Sequence, residues 1–552
     1  MKVKSFPIFQ KQHVAHQQTE WKKGRITCSS MRSCVRKVEW ISVEGKVPPG
    51  RREFMPAEVP LVTVEAGSPF RRIGEEVTWL PLYFRLTLFV KNTHYGSAMI
   101  PMDLFDRFLF AFTIGSHIIL VTMSITLIVL ISASEFIGTR NNNSYYMALS
   151  RRLTKVFVVS FGVGTASGIV MAVELVNLFP GFMTLVSKTG VIALFYAEVF
   201  AFFLETMALV IYVYYRNAFK GKYTHWVISL FVGAGTIGSA VFITMVNAWM
   251  NSPNGFNIPL YVSSGTLSSI NPWAPFITPT TLAQVAHVIT TTIFTGSMFI
   301  GAYFALRYIR TKDPDEKTFF RGGLKLSGAM SIVFIILSGL TGSHEMGTLL
   351  VNQPLKYAAL DLNLHPGSGM PERLFGYLVN GQFVGGLEIP NIQALLAQFE
   401  TGISYLPGLL QYPQTDWPPL WVHTTFDIMV TGGLLLGLFL FIYFVMWAMK
   451  KKPYEKRFIL YGQGVLGAAS LIVYELGWIT DEVGRQPWIV YNVMRVSSAA
   501  NYTTTLLVPG LFIVAFYIFL IPVTFYFFSR VFNGTPLSVE LKKGFEEGGV
   551  NY

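Results

Sequence analysis

Long apolar runs alternate with short polar segments along most of the chain after residue 99. We read nine runs that are each long enough to cross a bilayer, since a membrane helix needs about 20 apolar residues. Their predicted limits are 105–134, 155–179, 188–215, 225–250, 281–307, 322–341, 421–449, 458–480 and 504–530. The pattern predicts an all-α, polytopic membrane protein with one long loop, between spans 6 and 7.

The spans divide the chain into four parts. We interpret residues 1–98 as a poorly structured N-terminal extension, and favour a misplaced start near Met99, because this stretch lacks sustained helical periodicity. Spans 1–6 occupy 99–341, the long loop 342–420, and spans 7–9 with a tail 421–552. A connection of that length between membrane helices is usually functional or disordered.

Composition agrees with a membrane protein. Apolar residues make up 52% of the 552 residues and charged residues 13%, about half the usual share of a soluble domain. The net charge of +12 does not indicate nucleic-acid binding, because the basic residues are concentrated at the N-terminus and in alternate loops. Both cysteines, Cys28 and Cys34, precede the spans, which excludes a disulfide or a thiolate metal site in the membrane body.

Basic residues mark every second loop. The loops after spans 1, 3, 5 and 7 each carry several Lys or Arg residues, whereas those after spans 2 and 4 are almost uncharged and the long loop is acidic. Basic loops lie on the cytoplasmic side of most membrane proteins. We therefore expect the start of span 1 and the long loop outside the plasma membrane, and the C-terminus inside.

Span 3 carries two carboxylates in an otherwise apolar run, Glu198 and Glu205. A charge at mid-membrane costs about 2.5–3.5 kcal/mol, and a spacing of seven residues places both on one helix face, about 10 Å apart. Such a pair indicates a proton path or a cluster beside a metal. The alternative is a pair of neutral, hydrogen-bonded structural acids.

A few other polar residues inside the spans are candidate metal ligands. His287 and Met429 are expected at similar depth near the outer ends of spans 5 and 7, and a His–Met pair is a known axial pair of haem. His117 in span 1 and Glu475 in span 8 are further candidates, the carboxylate as a weak-field ligand for a high-spin iron. A lone histidine in a membrane helix is more often a packing residue, so depth alone leaves haem binding open.

Seven short segments follow one another in a recognisable order. They are FDRFLFAFTIGSH at Phe105–His117, FFLET at Phe202–Thr206, NAWMNSPNGF at Asn247–Phe256, QPLKYAALD at Gln353–Asp361, FDIM at Phe426–Met429, YELGW at Tyr474–Trp478 and GRQPW at Gly484–Trp488. In this order they resemble the motifs of subunit I of the cytochrome bd quinol oxidases. The resemblance covers about residues 100–530, with nine spans and a long outer loop as in the family.

The resemblance implies haem ligands. His287 and Met429 would ligate the low-spin haem b558. His117 and Glu475 would ligate the two high-spin haems, which are haem b595 and either haem d or a second high-spin haem b. Glu198 would lie beside or on the oxygen-reducing iron.

The resemblance also implies proton and quinol sites. Glu205, Thr206 and Ser239 would feed protons from the cytoplasm. Lys356 and Asp361, with Gln353, would bind quinol or accept its protons. Structural support for the quinol loop and the haem propionates would come from Arg485, Gln486 and Trp488.

The implied function is that of the catalytic subunit of a terminal respiratory oxidase, which oxidises ubiquinol or menaquinol and reduces oxygen to water. A second membrane subunit, subunit II, is the expected partner. Two other classes remain open from the residues alone: a secondary transporter or proton channel, and a non-oxidase haem b electron carrier. A transporter has no use for the His287–Met429 pair, and the chain shows no repeated halves.

Overall fold

The computed structural model describes residues 102–542, and the structural statements that follow concern this part of the chain. The expectations for residues 1–98 and for a start near Met99 lie outside it. Nine helices in the described part are long and apolar enough to cross a membrane, which confirms the predicted class. They are α1 Met102–Asn141, α2 Ser144–Leu178, α3 Ile192–Tyr214, α4 Thr224–Asn251, α5 Thr281–Arg310, α6 Pro314–Asn352, α7 Val422–Ala448, α8 Arg457–Gly484 and α9 Leu507–Phe532.

Several helices extend beyond the predicted spans. α2 begins after Asn143, whose side chain accepts hydrogen bonds from the first-turn N–H groups, as an N-cap does. α6 begins after the N-cap Asp313 with Pro314 in its first turn, and it ends at Asn352. Residues 342–352, predicted as loop, therefore continue α6. Polar residues lower the hydropathy of a helix end without ending the helix, so an apolar-run criterion stops too early.

Helices that follow one another in sequence pack together: α1 with α2, α3 with α4, α5 with α6, and α7 with α8. α5 also packs on α8, and α9 packs on α1 and α2. One apolar core, which includes Phe157, Phe304 and Phe319, lies at the end of the bundle nearer the α1–α2 connection. A second core, around Phe182 and Trp249, lies at the other end.

Basic side chains of α2 bind the last described helix, Leu537–Lys542. Arg152 Nε is 2.6 Å from Glu540 Oε2, and Lys155 Nζ is 3.2 Å from Glu540 Oε1. The Arg152 guanidinium also lies over the ring of Phe319, 4.9 Å from its centroid. These basic residues therefore pair within the protein.

The connection between α6 and α7 is folded, and we call it the loop segment. It begins with the helix Pro354–Leu360, whose side chains are mostly buried, and it contains the helix Ile392–Thr401. Three antiparallel strand pairs are nested one inside the next, β1 with β6, β2 with β5 and β3 with β4. The innermost pair turns at Asn380 and Gly381, both with positive φ, as a type I′ hairpin requires.

The remaining elements are short. The strands are β1 Gly367–Ser368, β2 Glu372–Leu374, β3 Tyr377–Val379, β4 Gln382–Val384, β5 Leu387–Ile389, β6 Tyr405–Leu406, β7 Trp488–Val490 and β8 Met494–Arg495. Further short helices are Pro180–Lys188, Ile258–Ser264 and Val496–Ala499, with 3₁₀ turns at Arg216–Ala218, Ala274–Phe276, Leu409–Gln411, Gln414–Asp416, Pro453–Glu455 and Thr504–Leu506. β7 pairs with β8 directly after α8.

Candidate functional site

His287 on α5 and Met429 on α7 each lie against a glycine of the next long helix. His287 Nδ1 is 3.2 Å from the Thr341 hydroxyl, and a Cβ at Gly342 would be 3.0 Å from His287 Cε1. On α8, a Cβ at Gly477 would be 3.0 Å from Met429 Sδ. A bare glycine backbone lets helices approach closely in a membrane protein. Each candidate ligand is therefore held against the backbone of its neighbour.

His117 and Glu475 are arranged in the same way around α1. His117 Nδ1 is 2.7 Å from the Ser167 hydroxyl on α2, and a Cβ at Gly168 would be 3.3 Å from His117 Cε1. Glu475 reaches α1 from α8, because a Cβ at Gly115 would be 3.2 Å from Glu475 Oε2. Gly115, which Glu475 contacts, lies two residues before His117 on α1. The structure therefore brings the side chains of Glu475 and His117 to one level of α1.

These four side chains fit haem ligands. For His117 and His287 the hydrogen bond occupies Nδ1, which leaves Nε2 as the ring nitrogen for an iron. Glu475 Oε1 is buried without a hydrogen-bond partner in the described residues, although buried carboxylate oxygens are normally paired. Among residues 102–542 no three His, Cys, Asp or Glu side chains could hold a metal ion by themselves. Haem needs only one or two protein ligands, so this arrangement suits haem better than a bare metal ion.

The two acids of α3 accept hydrogen bonds from hydroxyls of α4. Ser239 donates to Glu198 Oε1 at 2.8 Å, and Thr236 donates to Glu205 Oε1 at 2.8 Å. Glu205 is buried and Glu198 is half-buried. The two helices touch at Gly235, where a Cβ would be 2.5 Å from the Glu205 backbone nitrogen. The α3–α4 contact therefore fixes both acids.

The family resemblance implies that Thr206 lies on the proton path, but its hydroxyl donates to the Phe202 carbonyl of its own helix, at 2.9 Å. The hydroxyl that contacts Glu205 belongs to Thr236, for which the sequence motifs predict no role. Thr236 lies three residues before Ser239 on α4, and residues at that spacing share a helix face. That spacing is the signal that could have identified it.

Lys356 and Gln353 belong to a buried polar network that joins the loop segment to α4 and α8. Lys356, only 4% exposed, donates to Asp481 Oδ1 at 2.6 Å and to the Asp481 carbonyl at 2.9 Å. Gln353 Nε2 donates to both the backbone and the side-chain oxygens of Asn251, at 2.8 Å. Asn247 donates to Asp481 Oδ2 at 2.7 Å. Lys356 is thus an ion-paired buried lysine, and not a solvated one.

Arg485 of the GRQPW segment completes this network. Its Nη1 donates to the side-chain oxygens of Asn247 and Asn251, at 2.7 and 3.0 Å, and its Nη2 donates to Glu482 Oε2 at 2.5 Å. Three of the motif segments named above therefore meet in one place. The sequence motifs predict no individual role for Asp481, Glu482 or the two asparagines.

Gln486 and Trp488 lie at the edge of the same region. Gln486 Nε2 donates weakly to the Glu482 carbonyl, at 3.4 Å. The guanidinium of Arg495 lies over the Trp488 indole, 4.8 Å from the centroid of the indole ring. The first contact joins Gln486 to the last turn of α8, and the second is made within the segment that follows α8.

Asp361 lies in a different cluster from Lys356, although only five residues separate them. It is buried and accepts a hydrogen bond from Gln393, while its Oδ1 has no partner within the described chain. Burial, followed by the charges of Glu372 and Asp427, raises the pKa of Asp361 well above its usual value. The protonated form of this carboxyl is therefore favoured.

Comparison with known proteins decides the family. The family model "Cytochrome bd terminal oxidase subunit I" matches residues 105–536. The chain belongs to the cytochrome bd oxidase subunit I family. A relative from Bacillus subtilis (strain 168), "Putative cytochrome bd menaquinol oxidase subunit I", is 32% identical over 440 residues, which cover 79% of this chain and 97% of the relative.

Two further matches agree. "Cytochrome bd ubiquinol oxidase subunit 1" from the same strain is 26% identical over 415 residues, covering 72% of this chain and 86% of that protein. The solved structure of bd oxidase from Geobacillus thermodenitrificans matches with a TM-score of 0.74 at 30% identity, covering 79% of this chain and 99% of the other. The expected resemblance and the expected fold are thus confirmed.

Membership of the bd oxidase family confirms several expectations. The protein is a quinol:oxygen oxidoreductase of a multi-pass membrane family whose members use haem cofactors. Quinol and oxygen are its substrates. A secondary transporter, a proton channel and a non-oxidase electron carrier are different classes, and the comparisons give them no support. The roles of individual residues in this bd oxidase subunit stay predictions.

Proposed function

We propose that this chain is the catalytic subunit of a terminal oxidase in which His287 and Met429 hold the low-spin haem b558. His117 and Glu475 hold the two high-spin haems, b595 and either haem d or a second high-spin haem b. The observation that supports these ligand assignments is that all four side chains are half-buried and that each lies against a glycine of a neighbouring helix. Bound haem supplies the one-electron transfers and the oxygen chemistry.

The acids of α3 are proposed to bring protons to the site of oxygen reduction, which consumes as many protons as electrons. Glu198 would lie beside or on the oxygen-reducing iron, and the Ser239 hydroxyl would hold its carboxylate there. Glu205, held by Thr236, lies two helical turns farther from the loop segment. Thr206, one residue on, is the third candidate on this path.

The loop segment is proposed to bind quinol. A lysine ammonium has three hydrogens to donate, and Lys356 uses two of its donors on Asp481, which leaves one for a quinol oxygen. Asp361 favours its protonated form and so can donate a hydrogen bond to a quinol oxygen, and it can accept a quinol proton once it has released its own. Gln353 and Arg485 support the site through the α4 asparagines. Gln486 and Trp488, beside Arg485, are assigned the same supporting role.

Charge distribution supports an orientation in the plasma membrane. The basic loops favour the α1–α2 end of the bundle at the cytoplasm and the loop segment outside. Quinol protons are then released outside, while oxygen reduction draws protons from inside, so charge separates without a pumping step. The relatives are named subunit I, which supports subunit II as a membrane partner; their names refer to menaquinol and to ubiquinol.

Optical spectra of the purified membrane protein, with oxygen uptake driven by ubiquinol and menaquinol analogues, test this function. Low-spin and high-spin haem bands together with quinol-driven uptake are expected. His287→Ala and Met429→Leu should each remove the low-spin bands alone and stop quinol oxidation. Low-spin bands that persist in both variants would show the ligand assignment to be wrong. A parent protein without haem bands would contradict the proposed function itself.

A further inference from the structure

Three buried polar side chains meet at the end of the bundle opposite the loop segment, and no role above uses them. They are Glu135 of α1, Tyr212 of α3 and His225 of α4, which are 2%, 3% and 8% exposed. The Tyr212 hydroxyl donates to Glu135 Oε2 at 2.5 Å, and His225 Nδ1 is 2.5 Å from Glu135 Oε1. Three membrane helices therefore converge on one carboxyl group.

The contacts of His225 fix the protons that this cluster holds. His225 Nε2 is 2.8 Å from the Tyr212 carbonyl oxygen, and a carbonyl only accepts, so Nε2 carries a hydrogen. A second proton then lies between Nδ1 and Glu135. On Nδ1 it gives an ion pair, and on the carboxyl it gives a neutral pair. The two forms differ by one proton moving along a 2.5 Å contact.

Charged and polar groups around the cluster come from the adjoining segments. Arg151 and Arg216 both interact electrostatically with Glu135, which offsets the cost of burying a carboxylate. The Ser150 hydroxyl is 3.5 Å from that of Tyr212. The carboxylate form of Glu135 is therefore supported even though the cluster is shielded from solvent.

The cluster lies in line with the two acids already assigned to proton delivery. Tyr212 follows Glu205 by seven residues, as Glu205 follows Glu198. Steps of seven residues keep all three on one face of α3, about 10 Å apart at each step. The cluster is therefore the next group on that face toward the end of the bundle with the basic loops.

Hydroxyl groups partly bridge the distance along α4 between His225 and Thr236. Ser229 lies one turn from His225 in the direction of Thr236, and its Oγ is 3.1 Å from Ser132 Oγ on α1. Both serines line a groove of about 390 Å³ whose other lining residues are mostly apolar and do not include His225, Thr236 or Glu205. A proton that passes from His225 to Thr236 and Glu205 would therefore need a water bonded to the Ser132 and Ser229 hydroxyls.

We propose that Glu135, Tyr212 and His225 form the proton-loading site that supplies Glu205. The inference rests on the proposed oxidase function. The step moves a proton only: the cluster gives one proton to the Glu205 carboxylate through intervening waters and regains one from the solution at the basic end. No electron is transferred, and Tyr212 positions the carboxyl. If the cluster served only to join three helices, removing its acid would not change proton uptake in the assembled protein.

Glu135→Gln tests this, because an amide keeps the size of the carboxyl and does not exchange protons. We expect parental haem spectra, oxygen uptake lowered by about 10²-fold, and slower proton uptake in a single turnover followed with a pH dye. Glu135→Asp should recover part of the rate. The matched control is Glu455→Gln, since Glu455 lies at the same end and pairs with Arg321 at the surface, 2.9 Å away. It should behave as the parent.

Parental proton uptake in Glu135→Gln would overturn the inference. If that variant loses its haem, His225→Gln takes its place in the experiment, because glutamine keeps an N–H directed at Glu135. Parental proton uptake in His225→Gln would also overturn the inference. A parent protein that lacks haem refutes the proposed function. An active parent with an equally active Glu135→Gln refutes only the proton-loading site.

Discussion

Gly342 of α6 lies against the imidazole of His287 on α5, where a Cβ would be 3.0 Å from Cε1 and 3.4 Å from Nδ1. The first distance is tighter than an ordinary van der Waals contact, so a methyl group would displace the ring by a few tenths of an ångström. Because axial ligation tunes the haem potential, this contact links the packing of two helices to the proposed low-spin site.

Gly342→Ala should shift the low-spin haem bands and midpoint potential without loss of the haem. Gly339→Ala is the matched control, because nothing lies within 4 Å of a Cβ at that position of the same helix. Both changes gain about 1 kcal/mol of helix propensity, so their difference reports the contact with His287. Equal spectra and potentials in the two variants would contradict the assigned contact.

Glu475 and Glu482 lie seven residues apart on α8 and so share a face, but only Glu475 has an unpaired buried oxygen. Glu482 accepts from Arg485 at 2.5 Å. Glu475→Gln should therefore remove or shift a high-spin haem band and retain the low-spin bands. Glu482→Gln should keep both, with lower thermal stability. The opposite result would indicate that Glu482, two turns nearer the loop segment, is the haem ligand and that Glu475 is not.

Lys356→Met tests the quinol site. Removing one partner of a buried ion pair leaves the Asp481 side chain with hydrogen bonds from Asn247 and Asn251 alone. We therefore expect a loss of about 3 kcal/mol in unfolding free energy. Oxygen uptake should fall with a raised KM for quinol, while the haem spectra stay parental.

Two companion variants separate stability from quinol binding. Adding Asp481→Asn to Lys356→Met removes the unpaired charge, so thermal stability should recover while quinol oxidation does not. Lys188→Met, at an exposed lysine, is the surface control and should match the parent. Parental KM in Lys356→Met would exclude this lysine from the site.

The helices could be predicted from the sequence because an apolar run is a local property, whereas the partners of polar side chains could not. Lys356 and Asp481 are 125 residues apart, and only the packing of the loop segment on α8 joins them. Lys356 and Asp361, by contrast, are close in sequence and the structure separates them. Glu135 was missed because it is an isolated acid near the end of a predicted span.

Asp361 predicts a pH dependence of stability. Its pKa is raised by burial, then by the charges of Glu372 and Asp427. A carboxyl whose folded pKa is raised stabilises the fold fully below its unfolded pKa of about 3.9, and that contribution is lost as pH rises through the folded pKa. The free energy of unfolding should therefore fall above about pH 4, by up to about 1.4 kcal/mol per pH unit, and the melting temperature should fall with it.

Asp361→Asn mimics the protonated carboxyl and should flatten this curve, as melting temperatures from about pH 4 to about pH 8 would show. Asp313→Asn is the control, because asparagine caps a helix as well as aspartate does. That variant should keep the parental slope. An unchanged slope in Asp361→Asn would mean that other groups set the pH dependence.

Glu205→Gln tests the buried acid of α3 without disturbing its packing. The Thr236 hydroxyl donates to Glu205 Oε1 at 2.8 Å, and an amide oxygen can accept the same bond. An amide does not exchange protons, so oxygen uptake should fall by about 10²-fold while the low-spin haem is retained. Glu198→Gln should in addition disturb a high-spin band, since that residue is assigned beside the iron. Turnover of Glu205→Gln at the parental rate would make Glu205 a structural acid, because protons would then reach the oxygen site by a route that bypasses it.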